Sequence, residues 1–112
     1  MIKLRHCKEV DEEHKHSCRQ YAHTYHYRNT ICVAESFYKL PISYQLGLIA
    51  HEVGHILVGR ASHKESQADK EANKFFGIKI LYRDSKYGKR LQYLDKDHRY
   101  IMSVLKYIVP TE

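Results

Sequence analysis

One short run of the 112-residue sequence carries residue types and a spacing that can do metal chemistry. His51 and His55 are four positions apart and Glu52 follows the first of them, in the order His-Glu-x-x-His. On an α-helix, residues four apart lie about 40° from each other around the axis, so both imidazoles project from one face, one turn apart. They can therefore reach one tetrahedral cation at about 2.0–2.1 Å.

Glu52 is rotated by about 100° from His51 on such a helix. Its carboxylate then lies beside the metal, where it can accept a proton from water on the metal. Nine histidines in the chain raise the chance of a coincidence. However, the run interrupts an apolar helical segment, where burying polar side chains without a partner is costly. The run therefore predicts one zinc ion held by His51 and His55, with water activated by Glu52.

Two histidines alone hold a catalytic zinc poorly, so a third ligand is expected downstream. The extension His-x-x-Gly-x-x-His does not fit, because Gly59 comes one residue late and Ala61 stands at the ligand position. The next segment offers two carboxylates, Glu65 and Asp69, which are four residues apart and share a helix face. His63 is a further candidate.

The motif lies on the most strongly predicted helix of the chain. Ser43 is a plausible N-cap, apolar residues recur at helical spacing from Tyr44 to Val58, and Gly59 is placed to end the helix. A second helix is predicted from His63 or Lys64 to Phe76, ended by Gly77. Its expected inner side consists of four residues, Ala68, Ala72, Phe75 and Phe76.

The other segments predict an α+β fold with a small, mainly antiparallel sheet and a hairpin, in one domain over residues 1–112. Strands are predicted at Ile2–Leu4, Thr30–Ala34, Ile78–Tyr82 and Arg90–Leu94, and helices at Val10–Tyr21 and His98–Val109. The last helix is expected to complete the core with one face, formed by Ile101, Val104, Leu105 and Ile108. An alternative is that it covers the cleft, making the protein latent, or pairs two chains as a homodimer.

Composition limits the partners. The net charge is +6, but no block of like charges appears, so a solvated basic surface is expected and a nucleic-acid groove is not. No apolar run is long enough to span a membrane. The N-terminal residues lack an apolar signal segment, which predicts a cytoplasmic protein. The three cysteines, Cys7, Cys18 and Cys32, form no CxxC pair and are expected to be reduced thiols.

From the motif and the second helix together, the chain resembles the gluzincin metallopeptidases, particularly their minimal soluble forms. The resemblance covers roughly Pro41 to Gly77. It implies a zincin-like fold with an active-site helix and a glutamate helix. It also implies that Glu65 is the third zinc ligand and that Asp69 orients a ligand histidine.

A second register is similar to the ImmA/IrrE-type metallopeptidases, which carry Glu-x-x-Ala-Asn-x-Phe. Here Asp69 is followed by Ala72, Asn73 and Phe75 at those spacings, so Asp69 would be the third ligand, with aspartate in place of the usual glutamate. Fourteen positions separate it from His55, against ten for Glu65. Glu65 is favoured because its residue type fits the third ligand and because Asp69, four residues later, fits the aspartate that orients a ligand histidine.

The expected function is that of a zinc metalloendopeptidase acting on proteins or peptides. Glu52 would take the proton of the attacking water and deliver it to the leaving amine. Alternatives are a zincin-like regulatory or repressor-recognising protein with little general proteolysis, and a basic nucleic-acid-associated protein with structural zinc. The resemblance implies that strand Thr30–Ala34 binds a peptide by strand addition. Candidates for stabilising the oxyanion are Tyr82, Tyr87, Tyr93 and His98.

Overall fold

The described residues combine short strands with three longer helices. The computed structural model describes residues 2–6, 21–25, 29–59 and 65–108. Within these residues the elements are β1 (Lys3–His6), β2 (Ala22–Tyr25), β3 (Thr30–Val33), a 3-10 helix (Glu35–Lys39), α1 (Ile42–Val58), α2 (Glu65–Phe76), β4 (Leu81–Ser85), β5 (Gly88–Tyr93) and α3 (Tyr100–Ile108). This content confirms the predicted α+β class.

β3 is the centre strand of a three-stranded sheet in the order β1-β3-β2. It runs parallel to β1, with Lys3 opposite Thr30, and antiparallel to β2, with Ala22 opposite Val33. This sheet is therefore mixed rather than mainly antiparallel. Because β3 is hydrogen-bonded to a strand on each side, a peptide cannot add to it as a further strand. The strand-addition prediction for Thr30–Ala34 was wrong, since the edge strands of this sheet, within the described residues, are β1 and β2.

α1 begins at Ile42, two residues earlier than predicted. Pro41 is the last residue before the helix, and its carbonyl accepts the N–H groups of Tyr44 at 3.0 Å and Gln45 at 3.1 Å. Ser43 lies inside the first turn, so its prediction as the N-cap was wrong. The ring of Pro41 holds its φ at −55°, within the helical range, so the helix begins before Ser43.

α2 packs its small side chains toward α1. Ala68 and Ala72 are buried, as predicted. The helix ends at Phe76, and Gly77 follows with a φ of 65°, which confirms its predicted role as the helix stop. The prediction that Phe75 packs inward was wrong, because 59% of it is exposed although it lies on the same side of α2 as Ala68. It forms the wall of an open apolar groove with Leu57 at the end of α1.

β4 and β5 form the predicted antiparallel hairpin, with Leu81 opposite Tyr93 and Ser85 opposite Gly88. The strands are shifted from the prediction, since β4 begins only at Leu81 and β5 already at Gly88. The hairpin packs closely on α1 at Gly47, where an added Cβ would lie 2.5 Å from the Cα of Tyr93. Only glycine permits this approach of two backbones.

α3 closes the core, as expected. Ile101 and Leu105 are buried in the hydrophobic cluster that also contains residues of β3 and α1. Val104, which was predicted on the same face, is 44% exposed and borders the apolar groove near Phe75. The side chain of Ile108 is outside the described part of the chain. None of the helices in the described ranges is both long and apolar enough to cross a membrane.

Several sequence-based predictions fall outside the described residues. They are the helix predicted from Val10 to Tyr21, apart from Tyr21 itself, the thiols of Cys7 and Cys18, and His63. Cys32 is buried and forms no disulfide within the described residues, in agreement with the predicted reduced thiol.

Candidate metal centre

α1 brings the two motif histidines together. His51 and His55 lie one turn apart, and their Nε2 atoms are 3.1 Å from each other. The rings are perpendicular, with centroids 4.6 Å apart. His51 is buried and His55 is partly buried. Because apolar neighbours on α1 fill the core, this edge of the helix is left to face α2, and both Nε2 atoms point to the same place.

The first residue of α2 supplies a third donor atom. The Oε2 atom of Glu65 lies 2.5 Å from Nε2 of His51 and 3.2 Å from Nε2 of His55. One donor atom from each of the three side chains lies within 4.8 Å of the others, and this group could hold a metal ion. Two imidazole nitrogens and one carboxylate oxygen are a ligand set typical of catalytic zinc, which keeps a fourth position open.

The donor atoms fit a tetrahedral ion with one adjustment. Ligands at about 2.0–2.1 Å from a tetrahedral zinc lie roughly 3.3 Å from each other. Nε2 of His55 lies 3.1 Å from Nε2 of His51 and 3.2 Å from Oε2 of Glu65. Both distances match the distance between two ligands of a tetrahedral zinc. The 2.5 Å distance from Glu65 to His51 is shorter and must open by about 0.8 Å. The side chain of Glu65 is 67% exposed, so it has room to rotate.

Asp69 lies behind His51, one turn further along α2. Its Oδ1 atom accepts a hydrogen bond from Nδ1 of His51 at 2.6 Å, and its Oδ2 atom accepts one from the hydroxyl of Tyr82. An imidazole that donates from Nδ1 keeps the lone pair of Nε2 free for a metal. Both carboxylate oxygens of Asp69 are thus used, and Asp69 is not a member of the group His51, His55 and Glu65 that could hold a metal ion.

Charges around His51 oppose the effect of its burial. Burial alone would lower the pKa of His51, since it disfavours the charged imidazolium. The hydrogen bond to Asp69 and the negative charges of Glu52, Asp69 and Glu65 outweigh burial, and the pKa is raised above its usual value. The same negative potential attracts a divalent cation to this point.

The contact between α1 and α2 sets the reach of Glu65. A Cβ added at Gly54 would lie 1.9 Å from the carbonyl oxygen of Ala68. The backbones of the two helices therefore touch at this crossing, with no side chain of Gly54 between them. Gly54 is one residue before His55, and Ala68 lies between Glu65 and Asp69. The close approach places the carboxylates of α2 within reach of the imidazoles of α1.

Glu52 contacts the edge strand β2, on a face of α1 about 100° from that of His51. It is only 8% exposed, and its Oε2 atom accepts a hydrogen bond from the hydroxyl of Thr24. Burial raises the pKa of Glu52 to about 7, although the hydrogen bond from Thr24 and the charge of His51 act to lower it. A buried carboxyl with a pKa near neutrality, next to a group of side chains that could hold a metal ion, is typical of proton-transfer sites.

The structure separates the residues that the sequence analysis left as alternatives. Glu65 lies with the two histidines, whereas Asp69 lies on Nδ1 of His51. Of the candidates for stabilising an oxyanion, Tyr82 is bound to Asp69 instead. The other three make structural contacts, which are those of Tyr87 and Tyr93 with the ring of Tyr44 and of His98 with the ring of Tyr100.

Sequence reasoning missed Thr24 and the strand that carries it. The stretch Ala22–Tyr25 contains a β-branched residue and an aromatic residue, which favour a strand. That signal is weak in a four-residue element, and it lies inside a run rich in histidine and tyrosine. Nothing local indicates that Thr24 meets Glu52, 28 residues further on.

Comparisons with known proteins found no relative: no family model matches the chain, and neither curated proteins nor solved structures yielded a match.

Proposed function

We propose that the protein is a zinc-dependent peptidase of zincin-like architecture, with zinc held by His51, His55 and Glu65 and with Glu52 as the general base. One observation carries this proposal. A buried carboxyl group follows directly after the first residue of a His-His-carboxylate group whose donor atoms converge. A site that binds zinc only for stability needs four protein ligands and no such base.

The donor set favours zinc among the divalent cations. Magnesium and calcium prefer an all-oxygen shell, whereas imidazole nitrogens suit zinc and the later transition metals. When bound, zinc supplies a Lewis acid that lowers the pKa of water toward about 7 and polarises a carbonyl. His51, held at Nδ1 by Asp69, and His55 present Nε2 atoms toward that position.

Glu52 would carry the proton. A carboxyl with a pKa of about 7 can accept a proton from water at neutral pH and return it to a leaving amine. Thr24 donates a hydrogen bond to Oε2 of Glu52, which limits the rotation of the carboxylate. Oε1 is then the oxygen that remains for the water. Removing a general base of this kind lowers the rate by about 10²–10⁴-fold.

Peptide is the substrate class that the edge strand favours. In the described part of the sheet, β2 is paired on one side only, and Thr24 links it to Glu52. An extended peptide that adds to the outer edge of β2 would run beside the base. Main-chain hydrogen bonds supply affinity in this mode of recognition and impose little sequence specificity.

The test is zinc-dependent cleavage of an unfolded generic protein such as reduced casein. Glu52→Gln should retain bound zinc and the folded state and lose cleavage by at least about 100-fold. Glu35→Gln, which changes an exposed glutamate of the 3-10 helix, is the matched control and should cleave normally. Cleavage that persists in Glu52→Gln would overturn the assigned mechanism. Zinc binding without cleavage by the unaltered protein would favour a regulatory, recognition-only scaffold.

A further inference from the structure

The hairpin reaches the metal centre through one phenol group. The hydroxyl of Tyr82 on β4 donates a hydrogen bond to Oδ2 of Asp69. The other oxygen of Asp69, Oδ1, accepts from Nδ1 of His51 at 2.6 Å. Nε2 of His51 lies 2.5 Å from Oε2 of Glu65. A continuous chain of polar contacts therefore leads from β4, through α2, to a donor atom on α1.

Tyr82 is itself held in place. Gln92 lies directly opposite Tyr82 in the β4–β5 ladder, so β5 fixes the backbone of β4 at this position. The ring is half-buried and packs against the hydrophobic core. A phenol whose ring is held by this packing and whose backbone is paired in a hairpin can direct its hydroxyl at one point. That point is Oδ2 of Asp69.

The arrangement restricts two rotations. A carboxylate bound at one oxygen only can turn about its Cβ–Cγ bond, and its other oxygen then leaves the imidazole. With Oδ2 bound to Tyr82, Oδ1 stays on Nδ1 of His51. This keeps the proton on Nδ1, so that Nε2 is the atom offered to a cation.

We propose that Tyr82 is a positioning residue for metal binding, whose hydroxyl fixes Asp69 and, through Asp69, the orientation and tautomer of His51. The inference rests on the metal centre of the proposed function, but it concerns a residue that touches neither metal nor substrate. It makes the β4–β5 hairpin part of the metal centre, although no residue of the hairpin supplies a ligand.

The test removes one hydroxyl and leaves the ring. Tyr82→Phe should weaken the binding of Zn²⁺ by up to about 10-fold, because losing Asp69, which contacts His51 directly, costs about 10–100-fold and Tyr82 acts only through Asp69. Affinity is measured by competition with a chromophoric chelator. Tyr100→Phe is the matched control, since its hydroxyl also donates to α2, at the carbonyl oxygen of Phe76 and 2.5 Å away. It should bind Zn²⁺ as the unaltered protein does.

Two further measurements separate positioning from a loss of stability. Nitrogen NMR of the metal-free protein, recorded at alkaline pH where the His51 imidazole is neutral, should show His51 protonated at Nδ1, and a mixture of tautomers in Tyr82→Phe. In an Asp69→Ala background, Tyr82→Phe should have no further effect on zinc affinity, because its effect passes through Asp69. A purely structural tyrosine would instead show additive effects in the double variant.

The outcomes are distinguishable. Unchanged zinc affinity together with an unchanged His51 tautomer in Tyr82→Phe would overturn the positioning role while leaving the proposed function intact. If the unaltered protein bound no zinc, the proposed function would fail. The tautomer of His51 in the metal-free protein would still decide whether Tyr82 orients the imidazole.

Discussion

The crossing of α1 and α2 at Gly54 offers a sharp test of how the metal centre is assembled. Gly54→Ala adds a Cβ that would lie 1.9 Å from the carbonyl oxygen and 2.6 Å from the carbonyl carbon of Ala68. Ordinary van der Waals contact begins at 3.4 Å, so the two groups must move apart by about 1.5 Å. The obstacle is helix backbone, which cannot rotate away as a side chain can.

The expected loss of stability follows from two opposed effects. Alanine is favoured over glycine in a helix by about 1 kcal/mol. Overpacking in a close contact costs roughly 1–3 kcal/mol, and the upper end applies where backbone must move. We therefore expect Gly54→Ala to lower the free energy of unfolding by about 1–2 kcal/mol in metal-free protein.

The effect on metal binding should be larger than this loss suggests. Glu65 and Asp69 are carried by the same rigid helix as Ala68, so both move with it. Metal–ligand distances tolerate only about 0.2 Å, and a displacement of about 1.5 Å at the crossing exceeds that several-fold. We expect zinc affinity to fall by at least about 10-fold, the lower end of the range for disturbed support of a ligand.

The assay pairs urea unfolding with zinc competition. Ile101→Val is the matched control, because it removes one buried methylene in α3 and costs a similar 0.5–1.5 kcal/mol or so, without touching the α1–α2 contact. It should leave zinc affinity unchanged. In addition, Ala68→Gly should not rescue Gly54→Ala, because the contact is with the carbonyl of residue 68. If Gly54→Ala left both the free energy of unfolding and the zinc affinity unaltered, the inferred contact between the backbones of α1 and α2 at Gly54 would be refuted.

Three further predictions concern the base, the third ligand and the core. In metal-free protein, burial disfavours the charged form of Glu52 and raises its pKa from 4.5 to about 7. The protonated carboxyl therefore contributes stability that is complete below pH 4.5 and is lost as the pH rises through about 7. Glu52→Gln should therefore reduce the fall in unfolding free energy between pH 5 and pH 8 by up to about 3 kcal/mol, and an identical pH profile would contradict this. Glu65→Gln should weaken zinc binding more than Asp69→Asn does. For Asp69→Asn we expect a loss of zinc affinity of about 10–100-fold. The reverse order would make Asp69 the ligand. Leu105→Ala should cost about 2–5 kcal/mol by urea unfolding, and a chain ending at Leu94 should not fold; a folded product would instead favour a covering or dimerising role for α3.

The sequence alone determined those features that depend on local geometry. His51 and His55 share a helix face because the α-helix repeats every 3.6 residues, whatever surrounds it. The stops at Gly59 and Gly77 follow from the left-handed φ that glycine adopts readily, with observed values of 87° and 65°. The helix of the motif, the second helix and the hairpin were all predictable in this way.

Periodicity was a poorer guide to burial at the helix ends. Phe75 follows Ala68 by two turns and so shares its side of α2, yet it borders an open groove with Val104. A repeat of apolar residues shows which side of a helix faces the core, but not how far the opposing element extends. That extent depends on where α1 and α3 end in space.

Only the tertiary structure decided the arrangement beyond the motif helix. Glu65 and Asp69 share a helix face and differ little in chemistry. Glu65 lies beside the Nε2 atoms of the two histidines and Asp69 on Nδ1 of His51, and this difference depends on how α2 crosses α1 at Gly54. The contacts of Thr24 with Glu52 and of Tyr82 with Asp69 join residues on different elements. Such contacts are set by packing, because no local preference of the chain specifies a partner that is distant in sequence.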